Sequence, residues 1–296
     1  MENKIIDGKA IAEEMKHEIA AQVADMLDHG VPAPHLAAVI VGEDPASQTY
    51  VASKEKACHS VGMISSVYKM PEKTTEKELL DIVSFLNNDA DVDGYIIQLP
   101  LPKHIDETKI IEAIDPSKDV DGFTSTNTGR MQLGLPCFVP ATPFGIMEMI
   151  KRSGVETEGK HAVVLGRSNI VGTPMAVLLS RKGVDATVTL CHSRTANLAD
   201  ITRQADILIA AIGKQGFVTA DMVKKDATVI DVGIHRVEDP TSAKGYRICG
   251  DVDYDEVLKV ASKITPVPGG VGPMTIVSLL SNTLQAAMNK RGDYER

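Results

Sequence analysis

The chain has 296 residues, 43% hydrophobic and 24% charged, which predicts a globular protein of two domains with real cores. A net charge of −9 and a pI near 5.4, with basic residues only in isolated pairs such as Lys151-Arg152 and Lys224-Lys225, argue against a nucleic-acid partner. No apolar run suggests a signal peptide or a membrane span. Four scattered cysteines without a CxxC suit a reducing cytosol, and the eight histidines have no metal-binding spacing, so no metal site is expected.

Asp7 is placed to cap a first helix whose apolar residues Ile11, Met15, Ile19, Val23 and Met26 recur at close to helical spacing, with Gly30 to end it. The apolar run Leu36–Val41 predicts a buried parallel strand. Asp44 as N-cap and Pro45 as first helical residue then predict a helix directly after it. On that helix Tyr50 and Lys54 stand one turn apart on one face. An ordinary amphipathic helix would leave this Lys solvated, whereas a site would use the flat ring and the amine together. Ile64–Met70 predicts a second strand, and the T-x-x-E box at Thr75 and Glu78 a second helix of this type. Asp93–Ile97 predicts a third strand, stopped by Gln98-Leu-Pro-Leu-Pro102. Alternating strands and helices predict a parallel sheet with ligands beyond its carboxyl ends, where Tyr50, Lys54 and Gln98 all fall.

A helix over 106–114 leads to Asp115-Pro-Ser-Lys-Asp-Val-Asp-Gly122. This loop lacks the later Glu of a calcium-binding EF-hand, and Asp121 is read as an acceptor for ligand N–H groups. Residues 123–142 are expected to connect two domains. The strand His161–Leu165 follows, then Gly166-Arg-Ser-Asn-Ile-Val-Gly172 and a helix from Thr173-Pro174, the setting of a dinucleotide phosphate turn. Ser168 replaces the second glycine of G-x-G-x-x-G, and its hydroxyl is expected to contact phosphate instead. The strand Ala186–Cys191 ends not in an acid but in His192-Ser-Arg-Thr195. Ser193 and Arg194, with Arg167 in the turn, therefore predict NADP rather than NAD. Strands over 206–211 and 227–232 follow, Ile248–Val252 is a minor strand or a loop, and Ile264–Thr275, dense in Pro and Gly, is expected to be irregular. A C-terminal apolar helix from Ile276 is expected to pack back on the first domain.

Six segments in register make the chain resemble the bifunctional methylenetetrahydrofolate dehydrogenase/methenyltetrahydrofolate cyclohydrolase family. They are Val41–Tyr50 with Lys54, Gln98–Pro102, Lys118–Gly122, Gly166–Gly172, Cys191–Thr195 and Pro266–Thr275. The resemblance implies two α/β domains with an active-site cleft between them. Residues 1–140 plus 276–296 would form a folate-binding catalytic domain, and 141–275 an NADP-binding, Rossmann-like doubly wound parallel sheet. It also implies NADP-dependent oxidation of methylenetetrahydrofolate to the methenyl cation, hydrolysis to 10-formyltetrahydrofolate, a cytoplasmic homodimer, and a place in one-carbon metabolism and purine biosynthesis. Tyr50, Lys54, Gln98 and Asp121 would be catalytic, with Lys54 moving the proton of hydrolysis and Gln98 holding it. Leu99, Pro268, Gly269 and Gly270 would complete the folate site. Gly166, Arg167, Ser168, Ile170, Val171, Gly172, Ser193, Arg194 and Ile234 would contact NADP.

Two rivals stand beside this reading. A short-chain dehydrogenase also uses Tyr-x-x-x-Lys, but there the glycine turn precedes the pair and here it follows. An NADP-binding sensor would have no use for Lys54, Gln98 and Asp121 at the strand ends, and a turnover assay separates it.

Overall fold

The structure, a computed structural model, describes residues 4–242 and 245–291. Helix α1 (Gly8–Asp28) opens where the Asp7 carboxylate accepts the Ala10 N–H at 3.0 Å, and it buries Met15, Ile19, Val23 and Met26. Strand β1 (His35–Val41), buried from Leu36 onward, feeds helix α2 (Pro45–Ser60). At its start Asp44 accepts the Ser47 N–H at 2.7 Å, satisfying one of the donors a helix N-terminus leaves open. Strand β2 (Ile64–Met70), helix α3 (Glu76–Asn88) and strand β3 (Gly94–Ile97) follow, α3 opening on the Thr75/Glu78 capping box. The three strands form a parallel sheet in the order β2-β1-β3. Since β1 is central, everything leaving its carboxyl end is flanked by the ends of both neighbours.

Helix α4 (Glu107–Glu112) and helix α5 (Ser125–Leu133) complete this half. The second lies within 123–142, the stretch expected to connect the two domains. Thr124 caps α5, Gly134 ends it at φ +71°, and Asn127 and Met131 are buried. Its Gly- and Thr-rich composition hid a helix that buries few apolar residues.

Helix α6 (Ala141–Arg152) leads to strand β4 (His161–Leu165), helix α7 (Gly172–Ser180), strand β5 (Thr187–Cys191), helix α8 (Leu198–Thr202) and strand β6 (Ile207–Ala210). After them come strand β7 (Thr228–Asp231), a hairpin of β8 (His235–Glu238) and β9 (Tyr246–Cys249), helix α9 (Tyr254–Val260), strand β10 (Lys263–Ile264) and helix α10 (Val271–Arg291). Strand order in the five-stranded sheet is β10-β7-β6-β4-β5, all parallel. The chain leaves β4 first toward β5 and then returns to the other side, so the sheet is doubly wound. Its topological switch point lies at β4 and β6, where such sheets place nucleotides. Val163, Leu165, Leu208, Ala210, Val229 and Ile264 are buried in its core with Val257 and Ala261.

Packing divides the described chain into residues 4–12 with 142–275, and residues 13–141 with 276–291. By packing, residues 4–12 fall with the five-stranded sheet rather than with the rest of the expected domain of 1–140. Ile6 N–H donates to Ile264 O at 2.9 Å, Lys9 N–H to Gly269 O at 3.0 Å, and Lys4 Nζ to Ala261 O at 2.9 Å. These bonds extend the edge of the five-stranded sheet beyond β10 and bind the start of the chain there. The Pro/Gly stretch from Ile264 to Thr275 is also more regular than expected, because β10 enters it and α10 begins at Val271. Pro273 falls in the first turn of α10, where a missing N–H costs no helical bond. In the other unit, Asn282 of α10 donates to Val120 O at 2.8 Å and Val139 O at 2.9 Å. Among the described residues no helix is long and apolar enough to cross a membrane.

Candidate active site

The carboxyl ends of β1 and β3 bring four of the expected residues together. Lys54 lies on α2 with only 9% of its surface exposed, so the solvated lysine of an ordinary amphipathic helix is excluded. Its Nζ donates to Gln98 Oε1 at 3.2 Å, and Gln98 Nε2 donates to Leu99 O at 2.7 Å. Gln98 is thus held by the turn that follows β3 and holds Lys54 in turn. Tyr50, one turn earlier on α2, is 39% exposed and free to present its ring face to a flat partner.

Burial holds the Lys54 ammonium below its ordinary pKa, because desolvation penalises the charged form, and Asp121 and Cys58 partly restore it. Asp121 shows the complement. As a residue it is partly exposed, yet its carboxyl is surrounded closely enough that burial pushes its pKa up to about 6, against the pull of Lys54. No hydrogen bond to a described residue satisfies that carboxylate. The loop beneath it is fastened nonetheless. Asp119 accepts from Phe123 N, Thr124 N, Thr124 Oγ1 and Asn127 Nδ2 at 2.7–3.1 Å, and Lys118 Nζ donates to Leu86 O and Asp89 O at the end of α3. A rigid loop therefore carries an acceptor with nothing of its own to accept. Cys58, near Lys54, is pushed up to about 12 by burial and is an unreactive packing thiol.

Pro268, Gly269 and Gly270 lie in the other unit, between β10 and α10. Their backbone is closely approached, since a Cβ on Gly8 would stand 1.9 Å from Gly270 O and one on Gly270 would stand 2.5 Å from Pro266 O. The same unit holds the phosphate turn. Gly166, at φ +111°, leaves β4 so close to β6 that a Cβ there would stand 2.0 Å from Ala211 O, and one on Gly172 would stand 1.8 Å from Gly166 O. Only glycine fits either position. Ser168 Oγ accepts from Val171 N at 3.1 Å and Gly172 N at 3.4 Å. With its lone pairs so engaged, its O–H is left to donate to an anionic oxygen at the positive end of α7. Arg167 and Ile170 are exposed in the turn and Val171 is half-buried. Ser193 and Arg194 are exposed beyond β5, in a turn closed by His192 N donating to Thr195 Oγ1 at 2.9 Å. Neither Arg167 nor Arg194 forms an ion pair with a described residue. The crowded glycine cradle, free hydroxyl and unpaired guanidinium groups fit an anionic dinucleotide. Ile234, after β7, is 53% exposed.

Two buried carboxylates next to this site escaped the sequence reading. Asp231 ends β7 and Asp251 follows β9. Their signal was an Asp-Val pair at each strand end, beside Gly233 and Gly250, the first in the expected strand over 227–232 and the second in Ile248–Val252, expected to be a minor strand or a loop. Among the described residues no group of three or more His, Cys, Asp or Glu side chains is arranged to hold a metal ion.

Residues 6–121 match the model of the tetrahydrofolate dehydrogenase/cyclohydrolase catalytic domain, and residues 140–291 that of the family's NAD(P)-binding domain. A bifunctional protein FolD of Flavobacterium johnsoniae is 60% identical over 96% of this chain and 97% of its own length. The crystal structure of the bifunctional FolD methylenetetrahydrofolate dehydrogenase/cyclohydrolase of Campylobacter jejuni superposes with a TM-score of 0.91 at 47% identity, covering 96% of this chain and 98% of that one. That of the Trypanosoma brucei enzyme, complexed with NADP and an inhibitor, gives a TM-score of 0.91 at 40% identity over 96% of this chain and 97% of its own. With both domain models matched in order and full-length relatives at this identity, the chain belongs to the tetrahydrofolate dehydrogenase/cyclohydrolase family.

Proposed function

We infer that Lys54, Gln98, Asp121 and Tyr50 carry the chemistry of this chain. The chain is a bifunctional, NADP-dependent enzyme that oxidises 5,10-methylenetetrahydrofolate to the 5,10-methenyl cation and hydrolyses that cation to 10-formyltetrahydrofolate. NADP supplies the hydride acceptor of the first reaction. That step asks the protein chiefly for alignment. Tyr50 stacks on the ring system of the substrate, Asp121 accepts hydrogen bonds from its amino and ring N–H groups, and Leu99 and the Pro268-Gly269-Gly270 backbone line the folate.

The hydrolytic step asks for proton transfer. Water adds to the methenyl carbon, a ring C–N bond opens, and one proton is released. Lys54 is the base and shuttle for that proton. Burial has already lowered its pKa, and a cationic substrate beside it lowers it further. Gln98 steadies the amine as a neutral acceptor, without the negative charge that would raise its pKa. The observation that carries the reading is the buried Lys54 held by Gln98, at the strand ends where Asp121 has no hydrogen-bonding partner among the described residues. Gly166, Ser168, Gly172, Arg167, Ser193 and Arg194 bind the phosphates, with Ile170, Val171 and Ile234 as apolar contacts. Arg167, Ser193 and Arg194 give the preference for NADP over NAD.

A spectrophotometric assay with methylenetetrahydrofolate tests this, following reduced nucleotide and methenyl product separately. The expected result is NADPH formed without accumulation of the methenyl compound, and little reduction of NAD. Methenyl product decaying only at its uncatalysed rate refutes the role of Lys54. A homodimer in the cytoplasm, supplying formyl groups for purine biosynthesis and binding neither nucleic acid nor membrane, belongs to the same proposal. The edge strand β5 with its exposed Leu190 and the net charge of −9 support it, and sedimentation tests the dimer.

A further inference from the structure

The loops after β6 and β7 leave the sheet beside the switch point, and neither is held by regular structure. Ile212 and Gly213 open the first, and Gly233 and Ile234 form the second. What holds both is Asp251, whose surface is 0% exposed. Its Oδ2 accepts Ile212 N–H at 2.8 Å and Gly213 N–H at 2.9 Å, and its Oδ1 accepts the Nε2–H of His235 at 2.7 Å. Asp251 is itself seated by Asp231, whose Oδ1 accepts Asp251 N–H and Gly233 N–H, each at 2.9 Å, and whose Oδ2 accepts Val252 N–H at 3.0 Å. The packing leaves no slack. A Cβ on Gly250 would stand 1.9 Å from Asp231 Oδ2, and one on Gly233 would stand 2.4 Å from Asp251 Oδ1.

Ile234 sits between two fastened residues, Gly233 by its N–H and His235 by its ring. Side chains alternate where the chain enters β8, so turning His235 inward to Asp251 turns Ile234 outward, where it is 53% exposed. We propose that Asp251 and His235 are positioning residues of the nucleotide site, joining the loop after β6 to the loop after β7 and so setting where Ile234 stands. This rests on the reading of Ile234 as a cofactor contact. His235 donates to a fully buried carboxylate, and a bond of that kind is among the stronger ones a side chain makes. Without it Asp251 keeps its backbone donors and Gly233 keeps Asp231, so the fold persists while the β7–β8 loop loses its tie to Asp251.

The two activities make the test selective, because hydrolysis of added methenyltetrahydrofolate consumes no nucleotide. His235→Leu, His235→Gln and Ile234→Ala are compared with the parent in dehydrogenase kinetics, in cyclohydrolase rate without nucleotide, and in melting temperature. His235→Leu is expected to raise KM for NADP about tenfold while cyclohydrolase activity is retained. His235→Gln, whose amide N–H reaches the same Oδ1, is expected to restore KM. An unmoved KM in His235→Leu overturns the proposal. So does a parallel fall of both activities and of melting temperature, which is what a merely structural residue would give, and so does failure of His235→Gln to restore. Ile234→Ala separates the underlying reading. No effect there removes Ile234 as a cofactor contact, whereas an effect there with none from His235→Leu overturns the positioning role alone.

Discussion

Asp121 and Asp231 are both buried carboxylates whose pKa is raised to about 6, desolvation being the largest cause in each. Their surroundings are opposite. Asp231 accepts three backbone N–H groups, which pull its pKa down against burial and against the neighbouring Asp251 charge. Asp121 has no hydrogen bond among the described residues and only the field of Lys54 to offset its burial. A desolvated carboxylate without partners is costly. Asp231 spends its acceptors on the protein and organises it, whereas Asp121 leaves its acceptors unused among the described residues.

The largest expected effect comes from removing the charge that faces Asp121. Lys54→Met is expected to lower cyclohydrolase activity by about 10²–10⁴-fold, the contribution of a positioned proton-transfer group, with the fold intact by circular dichroism. Hydrolysis at the parent rate would place the chemistry elsewhere. The matched pair Asp231→Asn and Asp121→Asn probes the contrast itself. Asp231→Asn turns an amide toward donors it cannot satisfy and is expected to cost about 3 kcal/mol in urea unfolding. Asp121→Asn is expected to hold or gain stability at pH 7, by up to about 3 kcal/mol, while folate binding weakens.

The sign follows from linkage. A carboxyl whose folded pKa lies above its unfolded value contributes stability in full below the ordinary 3.8 and loses it as pH rises to about 6. An Asp121→Asn protein should therefore lack that part of the parent's decline, and an equal loss from both variants would erase the distinction.

The same contrast extends to the exposed arginines. Arg194→Ala is expected to raise KM for NADP about tenfold, the scale of one charge-assisted contact, with little change for NAD. Equal effects on both nucleotides would refute a contact to the extra phosphate. The smallest expected effect is on the pH profile. Asp121 raises the pKa of Lys54, so Asp121→Asn should move the limb of kcat for hydrolysis to lower pH. A shift to higher pH would uncouple the two groups.

Much of the site was legible in sequence because its residues follow strand ends. Lys54 is tied to Tyr50 by helical spacing, Gln98 to the prolines that stop β3, and Ser168 and Arg194 to turns after β4 and β5. Local chemistry also marked the caps at Asp7, Asp44 and Thr75. Helix α5 was missed because Thr124 and Asn127 read as turn residues when their buried partner Asp119 is out of view. The packing of the N-terminal segment on the five-stranded sheet was out of view for a similar reason. The bonds from Ile6 and Lys9 reach residues more than 250 positions away, and no local pattern records them.

By itself the sequence determined the alternation of strand and helix, the glycines that only glycine can supply, and the residue types with the right chemistry at the strand ends. Those depend on periodicity and backbone sterics, which act over a few neighbouring residues. Only the tertiary structure decided that Lys54 is desolvated, that Asp121 has no hydrogen-bonding partner among the described residues, and that Asp251 joins two loops through His235. Burial and hydrogen-bond satisfaction are set by what the rest of the chain brings alongside, and segments distant in sequence supply it.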